Sequence, residues 1–410
     1  MHCLFISTHF PENLKTDVQG TFKRQRIFID ALKEISQLEF LFFVPSDKNT
    51  SKSDIDKKAN ALSEHWGLPI SLTLCESSRY PRHLPKWKQQ KNGILDFRQQ
   101  KKFIETSGQT QIQALETCLE NKPDFIFCHR LPSMGLITRV RRRLPTIFFD
   151  LDDIEHVSFA RRVHQPPVRL RTLLYYLQIP ALFYGETKAI RKANQTFICS
   201  NTNRKYLSQY LQLPGIKVIP NAVSIPEPQP LTDAPNLMLL GGYYFYPNRN
   251  AADLLIEKIW PLVRARQPEA RLIIAGSSPH LIRSYDKNPP GVEFTGFVEN
   301  LDELYARTRV VCCPVTAGSG TRVKLVEAAA YGKPIVSTTL GAEGLSLIDE
   351  ESYLQRDVIS EFAEGCKRLL QNKTLAEKLG KSARKAAIEN YDRSEIIRNI
   401  QGTIKDGLVL

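Results

Sequence analysis

Arg322, Lys324 and Glu327 stand close together, directly behind the loop Thr316-Ala317-Gly318-Ser319-Gly320-Thr321. The apolar, β-branched run Val310 to Val315 before the loop suits a buried strand. From Arg322 to Tyr331 the spacing of Val323, Val326, Ala329 and Ala330 predicts a helix, which Gly332 and Pro334 stop. Ile335 to Thr338 is the next strand, so the whole is a strand–loop–helix–strand unit of a parallel sheet. Glycines let an anion approach the backbone, and the helix dipole with its N–H groups favours negative charge there. Arg322 and Lys324 add cations to a first turn where the dipole alone prefers acids. Glu327, about one turn beyond Lys324, can accept hydrogen bonds from the hydroxyls of a ribose. The alternative is a solvated, charged helix start with no ligand.

Other residues invite chemistry more weakly. Gly20 opens a helix expected over Thr21 to Glu34, with Lys23, Arg24 and Arg26 nearby; it is either a second ligand corner or a simple helix entry. The strand Phe125 to Cys128 ends at His129-Arg130, and a basic helix is expected over Leu136 to Arg143. The strand Thr146 to Phe149 runs into Asp150, Asp152, Asp153, Glu155 and His156. Crowded acids repel unless solvated, hydrogen-bonded or functional, so this is a magnesium site or a helix-capping cluster, with His156 structural by default. Two stretches, Tyr80 to Lys102 and Phe159 to Tyr184, interleave basic residues with Trp, Tyr, Phe and Leu. Each is a candidate for peripheral membrane contact or a solvated helix with one buried face.

The elements that must position these residues alternate along the chain. At 410 residues it is too long for one core. A strand at Cys3 to Ser7 is followed by a long loop through His9 to Asn13 and on to Gly20. Phe40 to Val44 is the second strand, Asp47 to Asp54 an exposed loop, Glu186 to Asn194 a helix, and Gln195 to Ser200 a strand. Asn201 to Leu211 reads as helix and Lys217 to Asn221 as a short strand ending in a turn. The proline-rich run Ser224 to Pro235 is a linker. A second series follows: strands at Asn236 to Leu240, Ala270 to Ala275 and Val292 to Thr295, and helices at Ala251 to Arg266 and Asn300 to Arg307.

The hydrophobic fraction of 42% and charged fraction of 24% are those of a soluble globular chain. The net charge of +13 points to anionic partners: nucleotide phosphates, an acidic membrane surface or nucleic acid. Eight cysteines without metal spacing read as buried free thiols in a reducing compartment. The N-terminus lacks the pattern of a signal peptide, and no apolar run is long enough to span a bilayer.

Several motifs then carry a resemblance. Gly318-Ser319-Gly320-Thr321-Arg322-Val323-Lys324-Leu325-Val326-Glu327-Ala328 is joined by Tyr331-Gly332-Lys333-Pro334-Ile335-Val336-Ser337-Thr338 and Gly341-Ala342-Glu343-Gly344-Leu345. Ala275-Gly276-Ser277, Thr295-Gly296-Phe297-Val298, Leu240-Gly241-Gly242 with Pro247-Asn248, and Val218 to Val223 support them. Together they resemble the donor domain of GT-B glycosyltransferases of the large retaining family 4, over most of Lys217 to Asn390. The resemblance implies an α/β chain of two Rossmann-like, doubly wound parallel-sheet domains facing a cleft. Their expected limits are 1–225 on the acceptor side and 226–390 on the donor side, with a helix at 391–410 crossing back. The implied activity is a retaining glycosyltransferase that moves a sugar from a nucleoside-diphosphate sugar to a glycan or lipid-linked acceptor in cell-surface polysaccharide or glycoconjugate synthesis. No metal or other cofactor is required.

The resemblance also assigns roles. Glu327 matches the second glutamate of the family's E-x7-E motif, which binds ribose; the first falls at Ser319, which is shorter and uncharged. Arg322 and Lys324 are diphosphate partners, on the loop of Gly318, Ser319, Gly320 and Thr321. Phe297 and Val298 match the loop beside the base, and Gly241, Gly242, Asn248 and Arg249 the diphosphate-facing residues. Asp153 and His156 lie where relatives carry an Asp-x-His-Asp-like element, whose histidine is replaced here by Asp152. Ser319 keeps an alternative open, a catalytically inactive GT-B protein that binds a nucleotide sugar or a protein partner. A nucleic-acid binder is suggested by charge alone, without a motif. A dinucleotide oxidoreductase is disfavoured, since Val323 stands where a third glycine belongs. The expected location is cytoplasmic, with peripheral contact at the inner membrane face.

Overall fold

The computed structural model describes every residue except 12–13, 15–19, 46–50, 80–83, 165–173 and 410. Most of the expected loop before Gly20, the expected loop at 47–50 and the middle of the second basic stretch, Arg169 and Arg171 included, lie outside the described residues. The chain divides into two units, Met1–Ile219 with Ile396–Leu410, and Pro220–Glu395.

The first unit is built on a seven-stranded parallel sheet: β1 (His2–Ser7), β2 (Gln37–Val44), β3 (Ile70–Glu76), β4 (Phe125–His129), β5 (Thr146–Asp152), β6 (Gln195–Ile198) and β7 (Ile216–Val218). The strand order is β3-β2-β1-β4-β5-β6-β7. The central strands are near-continuous apolar runs, as a sheet covered on both faces requires. Aromatic rings fill that core: Phe5 stacks on Phe127 at 5.3 Å, and Phe197 on Phe148 at 6.3 Å. The helices of this unit are α1 (Gly20–Leu32), α2 (Lys52–Trp66), α3 (Lys86–Leu95), α4 (Gln109–Glu120), α5 (Arg130–Ile137), α6 (Glu155–Val163), α7 (Ile179–Lys192) and α8 (Asn201–Lys205).

The second unit has a six-stranded parallel sheet: β8 (Asn236–Leu240), β9 (Arg271–Ala275), β10 (Val292–Gly296), β11 (Val310–Cys313), β12 (Ile335–Ser337) and β13 (Leu354–Gln355). Its order is β10-β9-β8-β11-β12-β13. Its helices are α9 (Tyr246–Leu254), α10 (Trp260–Arg264), α11 (Leu301–Ala306), α12 (Val323–Ala330), α13 (Ile359–Gln371) and α14 (Lys373–Tyr391). The last helix, α15 (Arg393–Val409), belongs to the first unit from Ile396 onward. There Gln401 Nε2 donates to Ala31 O at 3.2 Å, and Lys217 Nζ to Thr403 Oγ1 at 3.4 Å.

The structure differs from the sequence reading in several places, each with a physical reason. The helix expected over Leu136 to Arg143 begins at Arg130 and ends at Ile137, before the basic run. The chain enters it straight from β4, and Leu131, Met134, Leu136 and Ile137 supply its buried face. Lys52–Trp66 is a helix capped by Ser51, where a loop was expected through Asp54. The helix expected over Ala251 to Arg266 starts at Tyr246 and widens over Leu255–Ile259, just before Pro261, which has no N–H to give. The units part at Ile219/Pro220, ahead of the proline-rich run, because Val223 exchanges backbone bonds with Tyr391 and Arg393 inside the second unit. All eight cysteines are buried, and none is in a disulfide.

Gly276 ends β9 at φ +126°, and a Cβ built there would stand 1.9 Å from the Gly241 carbonyl oxygen. The β8 and β9 ends can meet only with glycine at this position. Gly276→Ala is expected to cost about 3 kcal/mol, read as a lower urea midpoint; an unchanged midpoint would show that the two ends need not touch. Lys333, between α12 and β12, buries an Nζ with no hydrogen-bond partner among the described residues. Burial lowers its pKa from 10.5 to about 8. Between those values the unfolded chain binds the proton that the fold rejects, so stability should rise from pH 8 to 10.5. Lys333→Met should remove that slope in pH-dependent thermal melts.

Candidate functional site

In the second unit the candidate residues gather at the carboxyl ends of β8 and β11, where open α/β sheets bind ligands. β8 runs into Gly241-Gly242, whose backbone is tied to β9's end by bonds from Gly241 N to Ala275 O and from Tyr243 N to Ser277 O, both 2.9 Å. β11 runs into the loop before α12, and there Gly318 and Gly320 hold φ of +95° and +77°. Those values need glycine, so the loop's turn is fixed by its sequence.

Lys324, in the first turn of α12, reaches across to the β8 side. Its Nζ donates to Asn248 Oδ1 at 2.8 Å, and Asn248 Nδ2 donates to Gly242 O at 2.9 Å. A Cβ on Gly241 would lie 3.0 Å from both Lys324 Nζ and Asn248 Nδ2. Gly241 therefore lets the ammonium approach the backbone. Burial pulls the Lys324 pKa below its ordinary value, Arg322 adds to that, and Glu327 pulls it back. A partly desolvated cation bonded to a neutral amide favours an incoming anion.

Arg322 takes a different place from Lys324. Its guanidinium folds back and donates to the carbonyls of Ser319 and Gly320, and at 3.4 Å to that of Ala317. It holds the loop in shape as well as carrying charge. Thr321 is held by Asn221, whose Nδ2 donates to its Oγ1 at 2.6 Å. Arg249 likewise serves the backbone, donating to the carbonyls of Tyr243 at 3.1 Å and Tyr244 at 2.9 Å. Glu327 is half-buried on α12, near enough to Tyr305 and Tyr331 to help burial raise both phenols. Those two rings stack at 4.0 Å, and the buried Tyr305 hydroxyl has no hydrogen-bond partner among the described residues. Phe297 is exposed just beyond β10, whereas Val298 packs on the core.

The first unit holds a second polar cluster, also at the carboxyl ends of its strands. Arg24 of α1 is buried and donates to Asp150, with Nη2 to Oδ1 at 2.6 Å, while its Nε lies 3.2 Å from Asp152. Burial opposes the Arg24 charge, and Asp150 and Asp152 outweigh it. Arg130 and Asp152 both sit in the left-handed region, at φ +66° and +65°. Such strain costs about 1–3 kcal/mol per residue and gathers at functional sites. Arg130 donates to Thr21 Oγ1 at 3.1 Å, so Gly20's neighbour, rather than the exposed Gly20 itself, joins the cluster. Lys102 pairs with Glu155 at 2.5 Å.

The acids after β5 thus have named partners. Asp153 accepts from Asn203 Nδ2 at 3.4 Å. Among the described residues no group of His, Cys, Asp or Glu has the arrangement of a metal site. His156 is buried with both ring nitrogens engaged: Nδ1 by Glu186, and Nε2 by the Tyr206 hydroxyl at 2.9 Å. Sequence reasoning missed Glu186 and Tyr206. One signal was available, since Glu186 falls four residues from both Leu182 and Ile190 on the buried face of α7, where an acid needs a partner.

Residues 234–372 match the family model for glycosyl transferases group 1. An uncharacterized 44.6 kDa protein in the cps region of Klebsiella pneumoniae is 21% identical over 366 residues, covering 86% of this chain and 88% of that protein. Among solved structures, sucrose-phosphate synthase from Thermosynechococcus elongatus is 14% identical with a TM-score of 0.69, covering 98% of each chain. Anabaena HepE in complex with UDP is 13% identical with a TM-score of 0.66, covering 99% of this chain and 100% of that one. TarM from S. aureus, in a complex that includes UDP, is 14% identical at a TM-score of 0.65, covering 98% of this chain and 100% of that one. The two parallel-sheet units have the GT-B fold, and within the second of them residues 234–372 match the glycosyl transferases group 1 model, which supports transferase activity.

Proposed function

We propose that the protein transfers a sugar, with retention of anomeric configuration, from a nucleoside-diphosphate sugar to a glycan or lipid-linked acceptor in cell-surface polysaccharide synthesis. The observation that carries this reading is the Lys324–Asn248–Gly241 corner, a half-buried cation at a helix start beside a backbone cleared of side chains. Two further facts support it. HepE has been solved with UDP and with UDP-glucose, and the Klebsiella relative is encoded in a cps region.

The chemistry follows from charge. Breaking a glycosidic bond to a nucleoside diphosphate develops an oxocarbenium-like sugar and negative charge on the leaving oxygen. Lys324 and the N-terminus of α12 stabilise that charge without reorganising. Arg322, bonded to the loop carbonyls, keeps the backbone of Gly318 to Thr321 in the shape that receives the phosphates. Glu327, farther along α12, accepts the ribose hydroxyls. In the first unit, Asp153 and His156 serve the acceptor side, the ring of His156 being oriented by Glu186. The location in this reading is the cytoplasm. An inactive binder differs in one respect: it takes up the donor and never turns it over. A panel of radiolabelled sugar nucleotides, assayed for transfer and hydrolysis, separates the two.

Glu327→Ala should weaken UDP binding about 10–100-fold in calorimetry with the unfolding midpoint unchanged; equal affinity would take Glu327 out of the site. Lys324→Ala should lower turnover about 100-fold or more while donor affinity falls less. Wild-type turnover in that variant would end its role as a diphosphate partner.

A further inference from the structure

The positive charge of this chain is concentrated. Residues 79–104 hold eight Lys or Arg against one acid, and residues 157–192 hold seven against one. These two segments carry the whole excess of +13, and the rest of the chain is balanced. Both acids are engaged internally: Asp96 accepts from Arg98 at 2.7 Å, and Glu186 is buried against His156.

The segments supply two helices of the first unit, α3 and α7, that pack together. Gln100 Nε2 bridges them, donating to Gly93 O at 3.0 Å and to Gln178 O at 2.9 Å. Gly93 is buried, and a Cβ there would meet the Gln178 side chain at 3.3 Å. At about 100° per residue, Trp87, Lys88, Lys91 and Leu95 fall within roughly 100° of helix surface, opposite Gly93. All four are exposed. On α7 the exposed stripe is Phe183, Tyr184, Lys188 and Arg191, opposite the buried Leu182 and Ala189. Leu95, Tyr184 and Lys188 line one depression where the end of α3 meets α7.

Trp87, Leu95 and Tyr184 are 60%, 76% and 68% exposed, and Leu174 and Leu177 stand out just ahead of α7. Large apolar tips among cations fit the headgroup layer of an anionic bilayer: rings and Leu side chains enter the acyl boundary while ammonium groups meet lipid phosphates. Nucleic acid would satisfy the charge, yet it gives exposed leucines nothing to enter. No helix among the described residues is long and apolar enough to cross a membrane. We infer that the first unit docks on the surface of an anionic phospholipid bilayer through this α3–α7 face. The docking stands on the surface alone. One consequence rests on the transferase reading: α7 also carries Glu186, which holds His156, so docking brings a lipid-borne acceptor to that cluster.

The test uses the full chain in co-sedimentation with vesicles of phosphatidylcholine, or of phosphatidylcholine with about one-third phosphatidylglycerol. Binding should be at least about 10-fold tighter to the anionic vesicles and should weaken at about 0.5 M salt. Lys88→Glu with Lys91→Glu should cost about 10-fold or more. Trp87→Ser with Leu95→Ser should do the same, each pair keeping the wild-type unfolding midpoint and UDP affinity. Equal binding to both vesicles, or wild-type binding by both pairs, overturns the inference. So does retention of a single-stranded oligonucleotide, abolished by the lysine pair, without vesicle binding. Titration of the same samples with UDP, GDP and ADP keeps the two readings apart, since vesicle binding without binding of any nucleoside diphosphate would sink the transferase reading alone.

Discussion

The second unit depends on a half-buried cation, Lys324, that no carboxylate among the described residues neutralises in a direct bond. Lys324 is bonded to the Asn248 amide, which is bonded in turn to the Gly242 carbonyl. A lysine in that position is costly unless something anionic completes it. The surrounding structure serves this arrangement. Gly241 and Gly276 remove the side chains that would keep the β8 and β9 ends apart, and the left-handed Gly318 and Gly320 turn the neighbouring loop. Arg322 spends much of its hydrogen bonding on that loop's carbonyls, so rigidity and charge come from the same residue.

The first unit solves a different electrostatic problem. Its charges are numerous, mostly buried and mutually paired: Arg24 with Asp150 and Asp152, the exposed Lys102 with the buried Glu155, and Glu186 with His156. Such a network fixes side chains at the strand ends at the cost of desolvating many ions. The backbone strain at Arg130 and Asp152 sits in the same place. The second unit thus carries a cation with no acid bonded to it among the described residues, whereas the first pairs the charges just named. The outward face of α3 and α7 is a third regime, where cations keep their hydration and stand among exposed rings.

How much could be read in advance differs with the distance over which each feature is set. The loop from Thr316 and its helix were legible because glycine conformations, the helix dipole and 3.6-residue spacing act over a few residues. The parallel strands were legible for the same reason, being short apolar runs between turn residues. The start of α5 at Arg130 was not, because a short buried helix entered directly from a strand shows weak periodicity. β3 went unread although Ile70, Leu72 and Leu74 alternate with Ser71 and Thr73, the period of a half-buried strand.

The sequence by itself determined that this chain alternates strands and helices, where its glycines must turn, and that Lys324 and Glu327 share one short helix. Only the tertiary structure decided their partners. Asn248 lies 76 residues before Lys324, Asp150 126 residues after Arg24, and Glu186 30 residues after His156. The physical reason is range. Backbone conformation is fixed by neighbours along the chain, whereas the desolvation and pairing that tune a buried charge depend on which strand ends the sheet order brings side by side.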